Sequence, residues 1–124
     1  MLPPRIPKKA KRESRWRSPA HLTWIRGFTC CVCGSDIKIE AAHVRLGSNT
    51  GLGQKPDDWR AVPLCGATAC GSLGCHPQQH YVGESTFWKT AKIDPEAMIA
   101  AFIKASPKRA EIERVMKERN DGRF

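Results

Sequence analysis

The chain has 124 residues, of which 21 are Lys or Arg and 12 are Asp or Glu, giving a net charge of +9; 40% are hydrophobic. That length accommodates one domain with a short extension and excludes a (β/α)8 barrel, a complete dinucleotide-binding domain or a two-domain enzyme. A core this small commonly needs a staple, and six cysteines beside four histidines point to metal before they point to disulfides. The positive excess favours a polyanion as partner, nucleic acid first.

No run of about 18 apolar residues is present, so no membrane span is expected. The opening MLPPRIPKKAKRESRWR has no apolar run after its charges and does not read as a secretory signal. The expected compartment is therefore the cytoplasm, where disulfides do not persist.

In chain order, residues 1–17 carry Arg5, Lys8, Lys9, Lys11, Arg12, Arg15 and Arg17 against the single acid Glu13, with three prolines and almost no apolar periodicity. This reads as a disordered basic arm lying on phosphates. Ser18-Pro19 opens a short helix that stops at Gly27, with Leu22 and Ile25 facing the body and His21 expected at the surface. Cys30-Cys31-Val32-Cys33-Gly34 forms a knuckle, and Ile37-Lys38-Ile39-Glu40 begins a strand that runs to Val44. A loop rich in Gly and Pro spans 47–56, and a second apolar run, Ala61-Val62-Pro63-Leu64, ends at Cys65. Residues 66–74 are small and read as an insertion. Asp94-Pro95 starts a helix with Met98, Ile99, Phe102 and Ile103 on one face. Ser106-Pro107 starts another, with Ile112, Val115, Met116 and Arg119 on one face, and Lys117–Phe124 is expected to fray. The resulting division is 1–17 as arm, 18–92 as a compact domain, and 93–124 as a C-terminal helical extension packed on it.

Two clusters carry chemistry. Cys30-x2-Cys33 has the spacing that lets two thiolates reach one tetrahedral ion from a tight turn. Cys65, Cys70 and Cys75 lie about 40 residues further on. The favoured structural zinc set is Cys30, Cys33, Cys65 and Cys75, with Cys70 as the rival in the second pair and Cys31 left over. The second cluster continues as Cys75-His76-Pro77-Gln78-Gln79-His80. On a helix His76 and His80 are i and i+4 and face the same way, a standard means of presenting two imidazoles to a second metal ion.

The ordered set CCVCG, EAAHVR, GLGQKPDDW, VPLC and CHPQQH resembles HNH nucleases of the ββα-metal class, most closely the small phage and prophage proteins that include the recombination-enhancement (Ref-type) nucleases. The resemblance covers about residues 18–90. It implies an α+β fold, a small zinc-stapled ββα-metal domain carrying the basic arm and C-terminal helices. It further implies a phosphodiester hydrolase acting on DNA. His43 matches the general base at the end of a strand, His80 a ligand of the catalytic divalent metal, and His76 the frequent histidine after the zinc cysteine. That ion is left open among Mg2+, Mn2+, Ni2+ and Zn2+. The motif's usual Asn is absent; Lys55 and Asp58 match that stretch best, with Asp57 as the rival to Asp58. Ala42 stands where many members carry a metal-binding Asp or His. Arg45 and Lys55 join the arm residues as expected DNA contacts. The partners expected are DNA and, for the Ref-type likeness, a recombinase filament, with the chain a monomer or weak dimer. A zinc-stabilised DNA-binding or recombination-accessory protein without cleavage is the second reading.

Overall fold

A computed structural model describes residues 1–6, 15–48, 55–67 and 74–120. Among the described residues the fold is a small α+β arrangement of five helices around a two-stranded antiparallel sheet. Helix α1, Pro19–Ile25, starts where expected: the Ser18 side chain accepts from the His21 N–H at 3.1 Å and Pro19 occupies the first turn, where a missing N–H costs nothing. Strand β1, Ile39–His43, pairs with β2, Ala61–Cys65, in a register that sets Glu40 opposite Leu64 and His43 opposite Ala61. β1 is shorter than the expected Ile37–Val44 strand because Lys38 takes a positive φ of 51° and Ile37 stays exposed. A one-turn 3₁₀ helix, Asp58–Arg60, leads into β2.

Helix α2, Cys75–Val82, follows β2 and completes a strand–strand–helix unit. Helices α3, Glu84–Ala91, α4, Pro95–Ala105, and α5, Arg109–Asn120, then wrap it. α4 is capped by Asp94, whose side chain accepts from the Glu96 N–H at 3.0 Å. The main core joins Ala42 and Val44 from the β1 side, Val62 and Leu64 from β2, Phe87 and Trp88 from α3 and Ile99 from α4, together with Cys30, Cys65 and Cys75. A second cluster of Trp16, Trp59 and Ile112 holds α5 against the 3₁₀ turn. Complete burial of Ile112 contributes about 1.5–3 kcal/mol. Among the described residues no helix is long and apolar enough to cross a membrane.

The structure corrects three further expectations. His21 is fully buried, not a surface residue. It shares the inward face of α1 with Ile25, one turn on, and its Nδ1 lies 2.8 Å from Ser106 Oγ at the end of α4. Burial holds the His21 ring below the usual histidine range, with the Asp58 charge opposing. The arm also ends earlier than residue 17. Trp16 is buried against Trp59, its backbone N–H donates to Asp57 Oδ1 at 2.7 Å, and its indole N–H donates to Glu111 at 3.1 Å. The Lys117–Asn120 turn, finally, is helical and held rather than frayed at Arg119. That residue donates to Asp57 Oδ2 at 2.8 Å and stacks 5.0 Å over the Trp59 ring. Residues Lys8, Lys9, Lys11 and Arg12, the loop 49–54, Cys70 and residues 121–124 lie outside the described residues.

Candidate functional site

The four cysteines favoured from spacing converge. The donor atoms of Cys30, Cys33, Cys65 and Cys75 all lie within 4.8 Å of one another. The first pair comes from a knuckle closed by Gly34 N–H to Cys30 O at 2.9 Å and Cys30 N–H to Ser35 O at 2.8 Å. The second pair joins the end of β2 to the first residue of α2. Gly74 makes that junction possible: its φ is +76°, and a Cβ there would meet the Gly66 carbonyl oxygen at 1.9 Å. Only glycine lets the chain pass this close and bring Cys75 to Cys65.

The set fits a tetrahedral thiolate site. Zn–S bonds of about 2.3 Å at tetrahedral angles place sulfurs about 3.8 Å apart. Cys33 and Cys65 Sγ stand at 3.5 Å, far beyond the length of a disulfide bond. Backbone N–H groups serve the sulfurs: Cys33 N–H reaches Cys30 Sγ at 3.5 Å and Cys75 N–H reaches Cys65 Sγ at 3.3 Å. Burial disfavours the Cys30 thiolate. Backbone hydrogen bonds at Cys33, Val32 and Cys65, joined by the Cys33 side chain, outweigh it and bring the thiol down to about 7. Cys31 behaves oppositely. Burial, with the Cys30 and Cys33 charges, pushes it up to about 12, as suits a protonated core thiol outside the metal set.

A cleft of about 450 Å³ lies between β1, α1 and α2, and His43, His76, His80, Arg45 and Lys55 all line it. Five residues chosen from sequence thus meet on one surface. Arg26, at the end of α1, joins them and was not anticipated. His43 closes β1 at the cleft floor, with Nε2 2.9 Å from Asp58 Oδ1. A carboxylate only accepts, so the proton sits on Nε2 and the neutral ring carries its lone pair on Nδ1.

Asp58 is itself fixed. Its Oδ2 accepts the Ser18 N–H at 2.7 Å and its Oδ1 accepts from Arg17 at 3.2 Å. Burial pushes its carboxyl up, but the His43 and Ser18 hydrogen bonds and the His43 and Arg17 charges outweigh that and hold it below the usual carboxylate range. A depressed native pKa stabilises the fold above the unfolded value near 3.9, and the contribution disappears as pH falls through the lower native value. Asp58 therefore stays ionised at neutral pH. Asp57, the rival, faces away: it binds the Trp16 N–H and Arg119, with Arg15 at 3.8 Å. Arg15 and Arg17, expected on phosphates, thus face Asp57 and Asp58.

His76 and His80 present their Nε2 atoms 3.2 Å apart on α2. Two nitrogens bound to one tetrahedral ion at about 2.05 Å would stand about 3.3 Å apart, so the pair is spaced to share an ion. Among the described residues the four cysteines are the one group of three or more ligating side chains drawn together this closely. The histidine pair could therefore offer an ion two nitrogen donors. Glu40 was missed. Its Oε1 lies 2.8 Å from His76 Nδ1, an approach created by pairing β1 against a helix 36 residues away. Glu84 was missed likewise; it accepts from the Arg45 N–H at 2.8 Å and ties the chain after His43 to α3.

Comparison with protein-family models, with curated proteins and with solved structures finds no match.

Proposed function

We propose that the chain is a metal-dependent endonuclease of the HNH type that hydrolyses DNA phosphodiester bonds. The observation that carries this reading is the shared cleft, with His43 on the strand side, His76 and His80 on the helix side, and Arg26, Arg45 and Lys55 around them. The four-cysteine site would hold zinc and serve structure, fixing the knuckle, β2 and α2 so that base and metal ligands stay in register.

His43 would act as general base, taking a proton from water on Nδ1 while Asp58 stabilises the imidazolium through Nε2. The resulting hydroxide attacks phosphorus, the P–O bond to the leaving group breaks, and the leaving oxygen takes a proton from solvent. A divalent ion held by His76 and His80 would supply Lewis-acid stabilisation of charge on the phosphate and leaving oxygens. Arg26, Arg45 and Lys55 would bind the flanking phosphates, interactions that fix position rather than sequence.

Metal-dependent cleavage by zinc-replete protein tests the reading, with His80→Ala expected to abolish it while structural zinc is retained. Asp58→Asn should lower cleavage by about 10²–10⁴-fold, the worth of a positioned base, because the Ser18 N–H holds the amide oxygen and leaves the amide N–H facing Nε2, which moves the ring proton to Nδ1. DNA affinity measured by anisotropy should be unchanged. Equal cleavage by Asp58→Asn and wild type would remove Asp58 from the mechanism.

The arm provides a separate test. Deleting residues 1–14 removes five basic residues and one acid but leaves Trp16 seated. DNA binding should weaken, and the slope of log K against log salt should flatten by about 0.9 for each phosphate that the arm no longer neutralises. An unchanged slope would contradict a phosphate-binding arm. Extending the deletion through residue 17 should also lower thermal stability, because it takes away Trp16 and the Arg17 hydrogen bond to Asp58.

One observation favours a second reading, a DNA-binding or recombination-accessory protein without cleavage. Ala42 is fully buried in the main core, so the position beside His43 offers no ligand and the centre has two protein donors. That reading predicts metal-independent DNA binding that His80→Ala leaves intact.

A further inference from the structure

Glu40 has no part in the mechanism above, yet among the described residues it is the carboxylate bonded to the histidine pair on α2. The strand pairing puts Glu40 opposite Leu64, next to the turn that carries β2 into the zinc cysteines. Its carboxylate lies over Gly66, where an added Cβ would come within 3.1 Å of Glu40 Cδ and Oε1. The missing side chain at 66 leaves the space the carboxylate occupies. From there Oε1 reaches His76 Nδ1 at 2.8 Å, while His76 Nε2 faces His80 Nε2 at 3.2 Å.

We propose that Glu40 is a positioning residue for the His76–His80 centre, holding the His76 ring in the orientation and tautomer that present Nε2 as a donor. The inference rests on the metal centre proposed above and extends it by one residue. A carboxylate only accepts, so His76 must carry its proton on Nδ1, which leaves the lone pair on Nε2. A free histidine ring favours the opposite tautomer, whose Nε2–H blocks coordination. Carboxylates placed behind ligating histidines in this way raise ligand basicity and fix ring orientation. A purely structural salt bridge is the alternative. Glu40 is 52% exposed and His76 22%, and an exposed pair contributes about 0–1 kcal/mol to stability. Fold stability is therefore insensitive to Glu40, whereas metal affinity is not.

The experiment is calorimetric titration of Ni2+ into the zinc-replete full chain, comparing wild type, Glu40→Ala, Glu40→Gln and His80→Ala. It is paired with long-range nitrogen–proton NMR of the His76 ring in the absence of Ni2+. Wild type should bind one Ni2+ that His80→Ala loses. Glu40→Ala should weaken that binding by about 10–100-fold, and Glu40→Gln, whose amide oxygen still accepts from Nδ1, should recover most of it. Zinc content should be equal in all four proteins. In the metal-free spectra, His76 should be protonated at Nδ1 in wild type and shift toward Nε2 in Glu40→Ala.

Equal Ni2+ affinity in Glu40→Ala and wild type, or an Nε2-protonated His76 in wild type, would overturn the positioning role. If wild type and His80→Ala bind Ni2+ identically, the metal centre itself is refuted along with its positioning residue. Neither readout needs cleavage, so a protein that binds Ni2+ with this Glu40 dependence and cuts nothing would refute only the nuclease reading.

Discussion

Replacing Cys65 with Ser is expected to unfold the chain and release its zinc. Cys65 is fully buried, its Sγ lies 3.5 Å from Cys33 Sγ, and it accepts the Cys75 N–H, so it joins the knuckle, β2 and α2 at one atom. A structural zinc site supplies about 10–16 kcal/mol of apparent binding free energy in small zinc-dependent folds. A domain of this size has only about 5–15 kcal/mol of net stability. With zinc in the site, losing it would remove a contribution comparable to the whole net stability of the domain. Circular dichroism and a chromophoric zinc chelator would follow the two losses together. Cys31→Ser is the control: Cys31 lies outside the ligand set, so its variant should keep one zinc per chain. A Cys65→Ser protein that stays folded without zinc would mean that the apolar core alone specifies the fold.

The second large effect is expected at His43. Truncation to Ala removes the imidazole from the cleft but not the fold, because the ring lines an open cleft at the end of β1 rather than the main core, and its partner Asp58 keeps its Ser18 and Arg17 hydrogen bonds. Cleavage should fall by at least about 10²–10⁴-fold, the contribution of a positioned general base. DNA affinity should stay within about twofold, since the reading proposed above assigns the binding to phosphate interactions of Arg26, Arg45, Lys55 and the arm. Single-turnover rates at saturating DNA separate the two quantities. A variant that binds DNA tenfold more weakly and cuts at the wild-type rate once bound would make His43 a substrate-binding residue instead of a base.

What the sequence made legible was local. The Ser18 cap, the Cys30-x2-Cys33 knuckle, the i, i+4 pair His76 and His80, and helices α4 and α5 each depend on neighbours within a few residues. Their chemistry is visible in the order of the letters. The features that escaped are made by interactions across the fold. Trp16 sits in a basic stretch without periodicity, and its partners Asp57 and Glu111 lie 41 and 95 residues away. His21 reads as solvent-facing until α4 arrives with Ser106. Glu40 is an ordinary exposed strand acid until α2 sets His76 beside it. Helix α3 was missed for a different reason. Gly83 offers no side-chain cap, and its buried residues Phe87 and Trp88 are adjacent, so they produce no helical period. The choice between Asp57 and Asp58 shows the same limit: adjacent acids are equivalent in the sequence, and only the seating of residues 15–18 distinguishes them.

The most direct test of the account is a supercoiled-plasmid cleavage assay on zinc-replete protein at low salt. Wild type and His43→Ala would run side by side with Mg2+, Mn2+, Ni2+, Zn2+ or no added ion. The account predicts nicked or linear product with at least one added ion and none without, and loss of that product in His43→Ala at equal DNA occupancy. Intact plasmid in every lane, from wild-type protein that binds DNA and carries its zinc, would contradict the nuclease reading and leave the DNA-binding module in its place.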